Sequence, residues 1–177
     1  MSGAPGSGKT TVAKAIGQAT GAVVIDHDVT KSALLAAEVP VSLAGRASYQ
    51  VLDALAKHLL QQGHSVIFDS PCFYKELLER GQRLAEESGA AYRYIECVLR
   101  DLKELDQRLR TRERMPSQIA GVYAPPTAGS GKTETGEALF QGWIANMKRP
   151  QRKYLTLDTS QPIEMCVAAA IFYVTTG

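Results

Sequence analysis

Four short apolar runs, each followed closely by an acid or another polar residue, recur along the chain: Ala22–Ile25 before Asp26-His27-Asp28, His64–Phe68 before Asp69, Ala91–Leu99, and Lys153–Leu157 before Asp158. Runs of this length, apolar at consecutive positions, predict strands of a parallel sheet that is covered on both faces. Between them the apolar residues space out to every third or fourth position, which predicts helices. The first runs from Thr10 to Thr20 on Val12, Ile16 and Ala19, with Gly21 at its end. Val29–Ala37 predicts a short helix that follows Asp28. After a loop at Glu38–Leu43, Ala44–Gln62 predicts a long helix with Ala47, Val51, Leu55 and Leu59 inward. Ser70-Pro71 opens a helix to Glu87, with proline in its first turn. Asp101–Arg114 carries a stripe of Leu102, Leu105 and Leu109, Glu137–Met147 carries Trp143, and Pro162–Val174 is buried along Ile163, Val167, Ala170 and Ile171. Residues 115–136, with consecutive prolines, several glycines and few large apolar groups, predict a mobile loop. Strands alternating with helices give an α/β architecture with helices on both faces of a parallel sheet.

Composition bounds this picture without redirecting it. The 177 residues suffice for one sizeable core, and a single domain spanning 1–177 is expected. A net charge of +2 is too mild to indicate a nucleic-acid or membrane surface. The three cysteines, Cys72, Cys97 and Cys166, are widely spaced and odd in number, which suits buried reduced thiols better than a disulfide frame or a zinc site. The longest apolar run, Cys166–Val174, is about half of what a membrane span needs. A soluble, cytoplasmic protein is the expectation.

Gly3-Ala4-Pro5-Gly6-Ser7-Gly8-Lys9-Thr10 fits the phosphate-loop pattern G-x-x-x-x-G-K-[ST] at every fixed position. Its glycines let backbone amides turn inward around an anion, backed by the positive end of the following helix. Lys9 would reach the β- and γ-phosphates of ATP, and Thr10 would hold Mg²⁺, with Thr11 beside them. A second glycine-rich stretch, Gly129-Ser130-Gly131-Lys132-Thr133, echoes the motif. Pro126 stands where its first glycine would be and no strand leads into it, so it reads as loop.

The acids after the second and third runs are candidates for chemistry. In extended conformation Asp26 and Asp28 point to one side and His27 to the other. Either acid can orient an acceptor hydroxyl or cap the next helix, and the choice favours Asp28 as the functional one. Asp69 is the candidate second partner for Mg²⁺ and also a candidate helix cap. Around the helix Arg108 and Arg112 flank the leucine stripe, whereas Arg110 and Arg114 fall near the opposite side, so the first pair is placed to fold over phosphates. Lys31, three residues past Asp28, faces either the same cleft or solvent. His27, His58 and His64 show no metal-ligand pattern.

In this order, the phosphate loop, the strand ending in Asp28 with Lys31 behind it, the strand ending in Asp69, the Arg-rich helix and the Leu157-Asp158-Thr159-Ser160-Gln161-Pro162 turn resemble the small phosphate-loop kinases. These include the AAA-type ATP-binding domains related to polynucleotide kinase, chloramphenicol phosphotransferase and zeta toxins. The resemblance implies a three-layer α/β/α P-loop NTPase fold with a parallel sheet in the order 2-3-1-4-5. It implies that Asp28 activates an acceptor hydroxyl, that an Arg-rich lid at about 101–136 closes on ATP through Arg108 and Arg112, and that Asp158, Thr159 and Ser160 lie by the adenine. The acceptor is unspecified, a small molecule or a nucleic-acid end. An ATP-dependent switch or ATPase without such an acceptor is the alternative. Only Met1 and Ser2 precede the loop, so strand 1 is largely missing from this chain, and an apolar strand upstream in a longer product is the expectation.

Overall fold

The computed structural model describes residues 1–176. Its elements run α1 (Lys9–Thr20), β1 (Val23–Asp26), α2 (His27–Ala36), α3 (Val41–Gln61), β2 (Val66–Asp69), α4 (Lys75–Glu87), β3 (Ile95–Val98), α5 (Leu102–Thr111), α6 (Glu137–Ala145), β4 (Leu155–Asp158) and α7 (Ile163–Thr176), with a short 3-10 turn at Ala128–Ser130. The strands form two parallel pairs. β1 pairs with β2, with Asp26 opposite Asp69, and β3 pairs with β4, with Val98 opposite Asp158. Met1 and Ser2 lie between the pairs. The Met1 amino group donates to the Phe68 carbonyl on β2 at 2.7 Å. Ser2 bridges β3 in parallel, its N–H donating to Ile95 and its carbonyl accepting from Cys97, both at 2.8 Å. The resulting order, β1-β2, Met1–Ser2, β3-β4, is the 2-3-1-4-5 arrangement with two residues in the central position.

This register carries the site. Because all strands are parallel, Asp26, Asp69 and the turn after Asp158 leave at one edge, where α/β sheets bind ligands. α1 and α7 cover the β3-β4 pair, with Val12, Ile16, Cys97, Leu157, Cys166 and Ala170 in one apolar cluster. Each such aliphatic side chain stabilises the fold by about 1.5–3 kcal/mol when fully buried. The β1-β2 pair is covered by α3 through Leu52 and Ala56, joined by Leu84 of α4. All three cysteines are buried and unpaired. No helix among the described residues is long and apolar enough to cross a membrane.

Several sequence expectations shift. In α3 the inward stripe is Ala44, Ser48, Leu52 and Ala56, one position away from the expected face, which leaves Val51 and Leu55 exposed. The helix is apolar on adjacent positions, and its docking against α2 and the β1-β2 pair selects the narrower, small-residue side. In α7 the buried residues are Cys166 and Ala170, while Ile163 is exposed. The segment after Ser70 does not begin a helix until Lys75, because Cys72 and Phe73 pack with Tyr94 and Met147, and the Cys72 carbonyl accepts from Lys148 N–H at 2.9 Å.

Residues 115–136 are not a bare loop. Ile119 and Val122 are buried with Leu105, Leu109 and Phe140 in a separate cluster, and polar side chains tie the rest to α2. Two well-placed apolar residues suffice to anchor a segment whose average composition is loop-like.

Candidate functional site

Backbone geometry makes the phosphate loop. Gly3, Gly6 and Gly8 all have positive φ. At Gly3, with φ of 139°, a Cβ would lie 2.3 Å from the Cys97 carbonyl oxygen, so only glycine lets the loop leave the sheet here. Gly8 sits in the left-handed region directly before α1, which aims the first amides of the helix into the loop. Lys9 is buried, and its Nζ donates to the Ala4 carbonyl at 3.0 Å, spanning the loop from within. Pro5, Gly6, Gly8, Lys9, Thr10 and Thr11 border an open cleft of about 1440 Å³. Gly3, Ala4 and Ser7 are buried beneath that rim.

The acids divide their labour. Asp26 is the cap of α2: its Oδ1 accepts from the Asp28 amide at 2.7 Å and the Val29 amide at 3.4 Å. The helix starts at His27, earlier than expected, so the extended alternation that would have put both acids on one side does not apply. Burial, and then the Asp69 charge, push the Asp26 carboxyl above its ordinary value. Capping by Asp26 leaves the Asp28 side chain free, and it lines the cleft. Gln118 Nε2 donates to Asp28 Oδ2 at 2.8 Å. His27 Nδ1 stands 3.6 Å from Oδ1, an ion pair only when the imidazole is protonated. Burial raises the Asp28 carboxyl, but His27, Gln118 and the Lys9 charge outweigh it and bring the value to about 2.

Asp69 is almost fully buried at the tip of β2. It caps nothing; its Oδ2 accepts from Thr10 Oγ1 at 2.5 Å, while Oδ1 is buried without any partner. A buried carboxylate oxygen left unpaired is costly, and a cation beside Thr10 would satisfy it. Among the described residues no group of three or more His, Cys, Asp or Glu side chains is placed to hold a metal. The Thr10–Asp69 pair therefore fits an ion such as Mg²⁺ that takes most of its oxygens from phosphates and water.

The arginines separate as the helical wheel implies. Arg108 Nη2 donates to Glu104 at 2.5 Å and to the Thr159 carbonyl at 2.8 Å, which holds the guanidinium beside Gly8. Arg112 lines the cleft, half-buried, with its Nε buried and unpaired. Burial lowers its pKa, against an opposing pull from Asp28. Arg110 instead turns outward to Asp106 at 2.6 Å. In the turn after β4, only part of the expected set reaches the cleft. Thr159 borders it, but Asp158 Oδ1 accepts from the Ser160 amide and hydroxyl, so those two close the turn upon itself.

Several cleft residues were invisible as a set in the sequence. Tyr49 of α3 stacks on His27 at 4.2 Å and bonds to Ser70. His27 is buried, with both ring nitrogens unpartnered. Lys31 faces the cleft rather than solvent, donating to the Ser130 carbonyl at 2.9 Å. Gln118 and Ser130 lie 90 and 99 positions from their partners, and the only local sign of this wall was the glycine-rich echo at 129–133.

The geometry has counterparts. A family model for the AAA domain matches residues 1–121. No curated protein matches the chain. Among solved structures, the APS kinase of Mycobacterium tuberculosis in complex with AMPPNP and APS is 22% identical, over 99% of this chain and 95% of that one, with a TM-score of 0.69. A sugar kinase from Janibacter sp. HTCC2649 is 19% identical over 97% and 90%, with a TM-score of 0.59. A gluconokinase from Sinorhizobium meliloti 1021 is 19% identical over 96% and 86%, with a TM-score of 0.57. At these identities the likeness establishes the α/β phosphate-loop fold. The family match runs from the phosphate loop through both strand-end acids and the arginine helix to Gln118, and the chain belongs to the AAA domain family.

Proposed function

We propose that the protein is an ATP-dependent phosphotransferase that moves the γ-phosphate to a hydroxyl group. The observation that carries this reading is the freedom of Asp28: with Asp26 capping α2, a fixed carboxylate faces the cleft across from Lys9. ATP binding is supported by the loop geometry and by the family. In this reading the loop amides and Lys9 hold the β- and γ-phosphates, and Thr10 with Asp69 would hold Mg²⁺. That ion, when bound, would offset the negative charge of the phosphates.

The acceptor oxygen attacks the γ-phosphorus, the bond from γ-phosphorus to the bridging oxygen breaks, and ADP leaves with the bonding pair. In this reading Arg108 and Arg112, which both line the cleft, stabilise the charge that develops. A carboxylate with a pKa of about 2 is a weak base. Asp28 therefore orients the hydroxyl and receives its proton late, once bonding to phosphorus has acidified the oxygen. Thr159 and Ile163 border the cleft, and in this reading they lie beside the base of the nucleotide.

A screen of hydroxyl-bearing metabolites and 5′-OH oligonucleotides for acceptor-stimulated ADP release tests the proposal. Stimulation by at least one acceptor, lost in Asp28→Asn with MgATP affinity retained, is the expected result. Hydrolysis that no acceptor accelerates, unchanged in Asp28→Asn, would instead favour a nucleotide-operated switch.

A further inference from the structure

The wall of the cleft opposite the phosphate loop carries cations that the transfer of a γ-phosphate does not use. Lys31 extends from α2, Arg46 from α3 and Lys132 from the 129–133 stretch, and all three line the same cleft. Lys31 is only 8% exposed. An ammonium has three donors, and the one partner fixed for Lys31 is the Ser130 carbonyl. None of the three cations has a carboxylate within 4.0 Å among the described residues, although other cleft cations do: Arg108 pairs with Glu104, and Arg80 with Asp53. The remaining acids of the cleft, Asp26, Asp69, Glu76 and Glu113, form no ion pair with them either.

A buried ammonium with no direct ion pair and one fixed hydrogen-bond acceptor is left partly unsatisfied, which is unfavourable. Burial lowers the Lys31 pKa, the Asp28 charge opposes that shift, and the Lys132 charge adds a smaller lowering. Lys31 Nζ lies against the segment that carries Lys132: it donates to the Ser130 carbonyl, and a Cβ built on Gly131 would sit 3.9 Å from it. Lys132 Nζ is held 5.4 Å from the Trp143 ring centroid, which fixes it on this wall.

We infer that the phosphoryl acceptor is itself anionic, and that Lys31 and Lys132, with the exposed Arg46 at the rim of the cleft, bind a phosphate, sulfate or carboxylate group on it while its hydroxyl faces Asp28. This rests on the phosphotransfer reading and specifies its substrate class. Lys31 is placed for both tasks: three residues after Asp28 on α2, it sits one turn along from the carboxylate that orients the hydroxyl, so the acceptor's charged group and its reacting oxygen are separated by about one helical turn, roughly 5 Å. That span suits a small sugar acid or sugar phosphate. The acids of the phosphate-loop side would repel such a group, which fixes the orientation of the acceptor in the cleft.

The test has two arms on the full chain. First, inorganic sulfate is titrated by calorimetry into protein saturated with MgAMPPNP, so that the phosphate loop is already filled. Wild type should bind sulfate, Lys132→Ala and Lys31→Met should each weaken it about 10-fold, and Lys31→Arg should retain it, with melting curves recorded for each variant. Absent binding, or equal binding in all four, overturns the inference. Second, acceptor-stimulated ADP release is compared for neutral sugars, the matching sugar acids and the matching sugar phosphates. An advantage of about 10-fold or more in kcat/KM for one anionic series, carried by KM and reduced in Lys132→Ala, is expected, and the favoured series tells carboxylate from phosphate. Neutral sugars serving as well as their anionic counterparts would overturn the inference and leave the kinase reading intact. Sulfate binding with no acceptor activity of any kind would sink the kinase reading and leave the anion site standing.

Discussion

The two walls of the cleft are built on opposite principles. On the phosphate-loop wall, the chemistry lies mostly in backbone and in neighbours close in sequence, three positive-φ glycines and Lys9 reaching Ala4, with one distant acid, Asp69, meeting Thr10 from a strand end. On the facing wall, the chemistry lies in side chains brought from far apart, with Asp28 held by Gln118, and Lys31 by Ser130. A wall made of local backbone geometry suits one unvarying ligand group, as a polyphosphate would be under the proposed function. A wall assembled from distant side chains can be altered residue by residue, which suits a variable acceptor. The packing follows the same division: the first wall rests on the α1, β3, β4 and α7 core, the second on the smaller cluster of Ile119, Val122 and Phe140.

The comparison breaks most sharply at two residues. Lys9→Ala should weaken MgATP binding by about 100-fold or more, whereas Asp28→Asn should cut turnover by about 10²–10⁴ and leave nucleotide affinity within about threefold. Nucleotide titration followed by steady-state kinetics separates the two, and an equal loss of affinity in both variants would mean that the walls do not act independently.

Next in size is the buried face of α3, which packs on the β1-β2 pair and carries Tyr49 to the cleft. Leu52 is 1% exposed and Val51 40%, so Leu52→Ala should cost about 2–5 kcal/mol, and Val51→Ser less than about 0.5 kcal/mol. Chemical denaturation of the pair would show the reverse ranking if the expected stripe through Val51 and Leu55 were the buried one.

Smaller still is Gln118→Ala, a positioning change. Losing its 2.8 Å hydrogen bond should slow turnover about 10-fold with little change in nucleotide affinity, and it should move the acid limb of the pH–rate profile upward, because that bond helps to hold the Asp28 pKa down. A slower enzyme with an unmoved acid limb would show that Gln118 acts only on packing.

The smallest effect is on stability. The Asp28 carboxyl falls from an ordinary 3.8 to about 2 on folding, so its stabilising contribution is fully present above pH 3.8 and is lost as pH falls towards 2. With the side chain 37% exposed, screening keeps this below about 1 kcal/mol, to be read as the difference between wild type and Asp28→Asn in denaturation at pH 6 and at pH 2.5.

What the sequence determined by itself was whatever depends on short-range pattern. The phosphate loop, the alternation of strands and helices, the strand-end acids and the division of Arg108 and Arg112 from Arg110 all follow from spacing within a few residues, because backbone geometry and helical periodicity are local. The structure decided what depends on competition between distant partners. Asp26 and Asp28 are equivalent as a sequence, and the start of α2 at His27 gave the cap to one and the cleft to the other. The stripe of α3 moved by one position because two overlapping apolar faces were available and only the small-residue side fits against α2 and the sheet. The 115–136 segment folded because Ile119 and Val122 found the leucines of α5, a contact that average composition does not encode. His27, Tyr49, Gln118 and Lys132 became one wall only in three dimensions, since side chains separated by tens of residues share a surface only after the sheet edge has gathered the elements that bear them.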